Sequence, residues 1–229
     1  DDKKYTWAFN NFEKDFETYS GLRARLRYIV RVTIQRKVGG KLTKEKDFAV
    51  LLPDKEPEDN DNIKMDVGIE ECLHIEFEYN KGKYHLKDCV IGKVYFALIR
   101  VKIKSMEISL VRQETFGSGA NSHVEKDTIG TFEVMDGCPN KGEIIPIRLY
   151  LAPYELTPSF KNVSNKFSVK YFLKLTLIDD DDRKYFKQQE IVLWRKSDSK
   201  KMQKKIITPT INPDTPIPTT TNQDTKEAE

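Results

Sequence analysis

Leu73-His74-Ile75-Glu76-Phe77-Glu78-Tyr79, read with the residues that follow it as far as Thr115, decides the fold class of this chain. A side-chain period of two places Leu73, Ile75, Phe77 and Tyr79 on one face of a half-buried strand, with His74, Glu76 and Glu78 on the other. Asn80-Lys81-Gly82-Lys83 reads as a tight turn in which Gly82 can take a positive φ. Tyr84-His85-Leu86-Lys87 resumes the alternation, which predicts a hairpin. From Gly92 the apolar positions run Val94, Phe96, Leu98, change phase to Val101 and Ile103, and change again to Met106, Ile108 and Leu110. Such phase changes mark a bulge or bend, by which one long strand turns the corner of a sandwich or serves two sheets.

The same grammar extends in both directions. Upstream, Leu22, Ala24, Leu26, Tyr28, Val30, Val32 and Ile34 predict one long strand, with Arg23, Arg25, Arg27 and Arg31 as a basic stripe on its other face. Gly39-Gly40 turns the chain, and Lys46 to Leu52 reads as the returning strand. Pro53 to Asn62, rich in Asp, Glu and Pro, has no apolar period and reads as a loop that ends a domain. Downstream, Gly117 to Lys126 is a polar loop, Thr128 to Met135 a short strand stopped by Asp136-Gly137-Cys138-Pro139, and Ile145 to Leu151 the next strand. Phe167 to Leu177 is a long strand, Asp179 to Asp182 its turn, and Tyr185 to Trp194 the return. No segment sustains a period of 3.6, so the class is all-β, a sandwich of antiparallel strands. From 197 on, Lys, Thr and Pro dominate, and residues 197–229 are expected to form a disordered tail.

Composition narrows the function classes. With 39 basic and 36 acidic residues the net charge is +3 in 229 residues, too weak a bias to indicate nucleic acid. Cys72, Cys89 and Cys138 are an odd, sparse set, which points to free thiols in a reducing cytosol rather than to a disulfide framework. The longest apolar run, Val94 to Ile99, is far below the ~20 residues of a membrane helix.

A search for chemistry finds little. Cys72, His74, His85 and Cys89 bracket the predicted hairpin, but pairing Tyr79 with Tyr84 leaves the two histidines roughly 13 Å apart by strand rise, too far to share one zinc ion. A site of Cys72, His74 and Cys89 is weighed against ordinary strand residues, which are favoured. His123 lies in the polar loop with no evident partner for nucleophilic catalysis. Asp179 to Asp182 lack the Asp-x-Asp-x-Asp-Gly spacing of a calcium loop and read as a solvated turn. The arginine stripe could meet phosphates or carboxylates, yet no stacking aromatics interleave with it, so a solvent face or a charged seam is preferred. No enzyme, metal or cofactor is expected.

Particular words in the chain resemble one family. Ile63-Lys-Met-Asp-Val-Gly-Ile-Glu-Glu-Cys-Leu-His-Ile-Glu-Phe-Glu-Tyr-Asn80, Lys83-Tyr-His-Leu-Lys-Asp88, Phe132-Glu-Val-Met-Asp-Gly137, Ile145-Pro-Ile-Arg148 and Tyr185-Phe-Lys-Gln-Gln-Glu-Ile-Val-Leu-Trp-Arg195 are similar to the vacuolar protein sorting-associated protein 26 family, the arrestin-like subunit of retromer. The words keep the family's order from about Phe9 to Arg195. The resemblance implies an arrestin-like fold of two β-sandwich lobes. Residues 1–61 would be the back half of an N-terminal lobe plus linker, with the family's first strands lacking, and 62–196 a complete C-terminal lobe. It implies a non-catalytic trafficking adaptor, cytoplasmic and peripheral on endosomal membranes. The partners implied are the helical-solenoid retromer subunit, a sorting nexin and the cytosolic tails of transmembrane cargo. The alternative is another arrestin-like scaffold binding receptors or ubiquitin ligases, although the tail carries no Pro-Pro-x-Tyr motif.

Family positions carry over residue by residue. Val134 and Met135 match the hydrophobic pair that binds the solenoid subunit, and strand alternation expects one of the two to face outward. Val67 and Phe186 match positions where sorting nexin and cargo tail meet; from periodicity alone Phe186 is core as readily as contact. Leu51 to Asp61 departs from the family's local sequence, so contacts mapped to that edge are not carried over.

Overall fold

The computed structural model describes residues 5–9, 13–36, 39–69 and 71–197. From residue 13 on, the described residues group as one compact unit. Ahead of it, residues 5–9 have no regular structure, and the Tyr5 and Trp7 rings stack with centroids 5.9 Å apart. The expected tail, 197–229, lies outside the described residues apart from Ser197.

Fourteen strands account for nearly all regular structure among the described residues, with a single 3-10 turn at Gly119–Asn121. The short β1 (Tyr19–Ser20) and β2 (Arg25–Leu26) precede a hairpin of β3 (Tyr28–Gln35) and β4 (Lys41–Phe48). The sandwich follows: β5 (Ile63–Ile69), β6 (Leu73–Tyr79), β7 (Lys83–His85), β8 (Cys89–Ile99), β9 (Ile103–Phe116), β10 (His123–Asp136), β11 (Ile144–Tyr150), β12 (Phe160–Val163), β13 (Phe167–Asp179) and β14 (Lys184–Trp194). One sheet has four strands in the order β11-β8-β6-β5; the other has six, in the order β10-β9-β13-β14-β7 with β12 beside β13.

The alternation of β6 is realised residue by residue: Leu73, Ile75, Phe77 and Tyr79 are all buried, and their neighbours are not. Val94 and Phe96 of β8 join them, as do Met106, Ile108 and Leu110 of β9 and Val169 to Leu177 of β13, in one core between the sheets. Each such side chain contributes about 1.5–3 kcal/mol by leaving water, so this layer dominates the stability of the unit.

The partners of several strands differ from the expectation. β6 and the Tyr84 segment do not form a hairpin. β6 pairs antiparallel with β5 and β8, whereas β7 pairs parallel with Val192–Trp194 of β14 in the other sheet. Gly82 is not among the glycines with positive φ. Asn80 and Asn60 shape the connection instead. Asn80 Oδ1 accepts the Tyr84 hydroxyl at 3.0 Å, and Asn60 Oδ1 accepts the Gly82 and Lys83 N–H groups at 3.0 and 2.8 Å. The long strand from Gly92 is two strands, and Arg100 to Lys102 carries the chain from one sheet to the other. The phase changes therefore mark a crossing between layers.

Other corrections concern polar strands. The Leu22 to Ile34 run is broken at Arg27 into β2 and β3. The returning strand begins at Lys41, directly after Gly39 and Gly40 at φ 97° and 84°, and ends at Phe48 rather than Leu52. Lys41 to Asp47 has almost no apolar pattern and is a strand because the ladder from Tyr28↔Phe48 to Gln35↔Lys41 holds it. β10 likewise begins at His123, inside the expected loop, through its register with β9. β5 and β12 were not foreseen as strands.

Two buried carboxylates fix the segment before the hairpin to the sandwich. Glu114 of β9, fully buried, accepts the Tyr19 hydroxyl and the N–H groups of Leu22 and Arg23 at 2.9 and 3.3 Å. Burial first, and then this hydrogen bond, raise the Tyr19 phenol above its ordinary value. Only glycine fits at position 21, since a Cβ there would lie 1.8 Å from Glu114 Oε1. Glu17, 2% exposed, accepts from Arg195 Nε and Nη2 at 2.6 and 2.8 Å and from the Leu52 N–H at 2.8 Å.

Candidate partner-binding surface

Two rims of the sandwich carry the residues singled out from sequence. At one, β10 is the edge of the six-stranded sheet and β11 the edge of the four-stranded sheet, and the two strands lie against each other. The register of β10 on β9 jumps between Thr128 and Gly130 and again between Glu133 and Met135, which leaves Val134 in a bulge. A bulge breaks alternation. Val134 and Met135 are consequently both half-buried and packed on the core, not one inward and one outward as alternation predicts. The turn beyond them is well tied. Gly137, at φ 105°, donates to the Lys104 carbonyl at 2.8 Å, and Gly142, at φ 84°, donates to the Phe96 carbonyl at 2.7 Å. Earlier in β10 the Tyr154 ring covers Gly130 so closely that a Cβ would lie 2.4 Å from it.

The opposite rim brings the start of β5 together with β7 and β14. Gly82 O accepts the Val192 N–H at 3.0 Å, and a Cβ on Gly82 would stand 3.2 Å from Ile63 Cδ1. Val67 lies mid-strand on β5, opposite Ile75, half-buried against the core. Phe186 of β14, opposite Thr176 of β13, is 58% exposed, with Lys174 Nζ 4.5 Å above its ring. Exposure settles the question that periodicity left open: Phe186 is a surface residue, whereas its neighbour Tyr185 turns in to donate to Asp179 Oδ2 at 2.8 Å. Because β7 covers only Val192–Trp194, the outer backbone edge of β14 from Lys184 to Ile191 has no strand partner among the described residues.

The other sequence candidates are placed as follows. His74 stands between Gly68 and Leu98, Cys89 faces Tyr150, and His85 is in the other sheet, so the expected pairing of Tyr79 with Tyr84 does not occur. Among the described residues no group of three or more His, Cys, Asp or Glu is arranged to hold a metal ion. His123 sits on β10, with Nε2 2.7 Å from Glu125 Oε1. The charge of the turn from Asp179 is partly balanced, by Arg183 within it and by Lys104 of β9. Asp179 accepts from Arg183 and Tyr185, Asp181 pairs with Arg183 at 2.6 Å, and Asp182 with Lys104 at 3.1 Å. Burial opposes the charge on Asp179, yet the hydrogen bonds from Tyr185 and Arg183 prevail and hold its carboxyl below the usual range. In the basic stripe Arg27 grips Asp47 at 2.6 Å, Arg31 pairs with Glu45 and Arg23 reaches Glu125 at 2.7 Å, so these three arginines serve carboxylates of the same chain.

Sequence reasoning missed the buried carboxylates Glu17 and Glu114. A signal for Glu114 was present, because the alternation through Met106, Ile108 and Leu110 continues to Arg112 and Glu114 on the inward face.

The sequence pattern of the family described as Vacuolar protein sorting-associated protein 26 matches residues 1–182. The chain belongs to the vacuolar protein sorting-associated protein 26 family. Within the family, the Dictyostelium discoideum protein of that name is 56% identical over 87% of this chain and 57% of its own length. The Caenorhabditis elegans protein is 56% identical over 85% and 54%, and the human Vacuolar protein sorting-associated protein 26B 55% identical over 85% and 57%. The chain thus spans about half the length of the curated relatives it matches. Among solved structures, the sporulation control protein Spo0M from Bacillus subtilis aligns with 52% of this chain and 48% of its own at 16% identity, with a TM-score of 0.41, too low to bear on the fold. The described strands form largely antiparallel sheets packed as a sandwich, in keeping with the arrestin-like fold that the resemblance implies. No helix among the described residues is long and apolar enough to cross a membrane.

Proposed function

We propose that this chain is a non-catalytic adaptor of endosomal protein sorting, acting as a retromer subunit on the cytoplasmic face of the membrane. In this reading 62–196 is the C-terminal lobe, 1–61 the back half of an N-terminal lobe with its linker, and 197–229 a tail. The end of β10, with Val134 and Met135, receives the helical-solenoid subunit. The β5–β14 rim, with Val67 and Phe186, receives a sorting nexin and an extended cargo tail.

The observation that carries the reading is Phe186, a large aromatic left 58% exposed on a strand whose outer edge is unpaired from Lys184 to Ile191 among the described residues. An extended peptide can add itself to such an edge through main-chain hydrogen bonds while a side-chain contact supplies selectivity. An exposed aromatic at the same place is what that contact requires.

Phe186→Asp tests the reading directly, because an exposed position can change without unfolding the lobe. Cargo-peptide capture in the presence of a sorting nexin is expected to be lost while solenoid binding persists. Val134→Asp with Met135→Asn should weaken solenoid binding about thirtyfold, ~2 kcal/mol, by calorimetric titration. Thermal melting belongs beside that titration, since both residues touch the core. Full cargo capture by a folded Phe186→Asp protein would remove the cargo role from this rim.

A further inference from the structure

Phe132 is the large apolar residue that β10 leaves most open near the proposed solenoid site, at 49% exposure, two positions before Val134. Val134 and Met135 have turned part of their surface to the core, so neither offers a partner its whole side chain. Beside Phe132, Glu133 stands directly opposite Glu107 of β9, and neither carboxylate has a hydrogen-bond or ion-pair partner among the described residues. Like charges facing each other across strands destabilise a sheet. A cation from outside the chain would reverse that sign.

We infer that Phe132, together with the Glu107–Glu133 pair, anchors the solenoid subunit, with Phe132 filling an apolar slot between partner helices and the two glutamates facing an Arg or Lys of that partner. The inference rests on the reading of this rim as the solenoid contact. The two register breaks in β10 argue for a helical occupant. They interrupt the edge at Ile129 and Val134, so an added strand would find no regular ladder, and recognition falls to side chains. Successive residues of a strand point to opposite sides, so a partner straddling the edge meets Phe132 on one flank and Glu133 on the other. An aromatic anchor flanked by complementary charge is the usual composition of an interface hot spot.

The test is calorimetric titration of the full chain, wild type and two single variants, into the purified solenoid subunit, with thermal melting of each. Phe132→Ser is expected to bind at least tenfold more weakly while still melting cooperatively at a modestly lower temperature, since half of the side chain is already in water and the other half lies on the Ile108 face. Glu133→Lys, at an exposed position where folding is not at stake, is expected to lose at least tenfold as well, and to lose most at low salt, where repulsion of a partner cation is least screened. Wild-type affinity in both variants, beside a wild-type chain that binds, overturns the anchor and leaves the rim reading intact. A wild-type chain that does not bind the solenoid subunit overturns both.

Discussion

Strand β3 of the hairpin and β6 of the sandwich follow the same alternation of apolar and polar residues, yet one lies on a core and the other does not. In β6 every second residue is buried, whereas no residue of β3 or β4 is. Ile34 is 52% exposed, Phe48 43% and Leu42 37%. Period two sets which face a side chain takes, but a second layer decides whether that face leaves water. A two-stranded sheet is marginal by itself. Here the Arg27–Asp47 and Arg31–Glu45 pairs brace one face of the hairpin, and the Glu17 and Glu114 contacts tie the preceding segment to the sandwich.

Substitutions should expose this contrast. Phe96→Ala, in the middle of the sandwich core, is expected to cost about 3–5 kcal/mol in urea unfolding, and Ile34→Ala on the hairpin no more than ~0.5 kcal/mol. Equal losses would mean that the two regions share one core. Glu17→Ala removes the buried acceptor of Arg195 and of the Leu52 N–H, and should cost ~2 kcal/mol. Hydrogen exchange at the Val50 and Leu52 amides should quicken with it, and unaltered exchange would deny Glu17 its role in docking. Gly130→Ala must displace the Tyr154 ring, an overpacking expected to cost about 1–2 kcal/mol, read as a lower melting temperature.

The smallest effect expected is on pH dependence. The Asp179 carboxyl is held below its ordinary value in the folded chain, so the unfolded chain takes up its proton first as acid is added. Its contribution is therefore complete above the ordinary aspartate range, near pH 4, and is lost as pH falls through the lower folded value. Asp179→Asn should melt lower at neutral pH and show a shallower loss of stability below about pH 4. A parallel acid profile for the two proteins would assign the acid sensitivity to other carboxylates.

Much of the fold was legible because its signals are local. The buried positions of β6, β9 and β13, the Gly39-Gly40 turn and the Asp179 turn all follow from side-chain period and turn chemistry. The polar strands β4 and the first part of β10 were not legible, since a ladder with a neighbour, not burial, keeps them extended. At the candidate rims the family words located Val134, Met135, Val67 and Phe186, but no word told which of them is exposed.

By itself, then, the sequence determined the class, the family and the inward face of β6, β9 and β13, because each depends on residues near one another in the chain. Tertiary structure alone decided that β7 joins β14 rather than β6, that Arg100 to Lys102 crosses between sheets, and that Val134 and Met135 turn inward around a bulge while Phe132 and Phe186 stay open. The physical reason is common to all of these. Sheet membership and exposure depend on which distant strand supplies the next ladder and the next layer, and a period of two is satisfied equally well by every candidate partner.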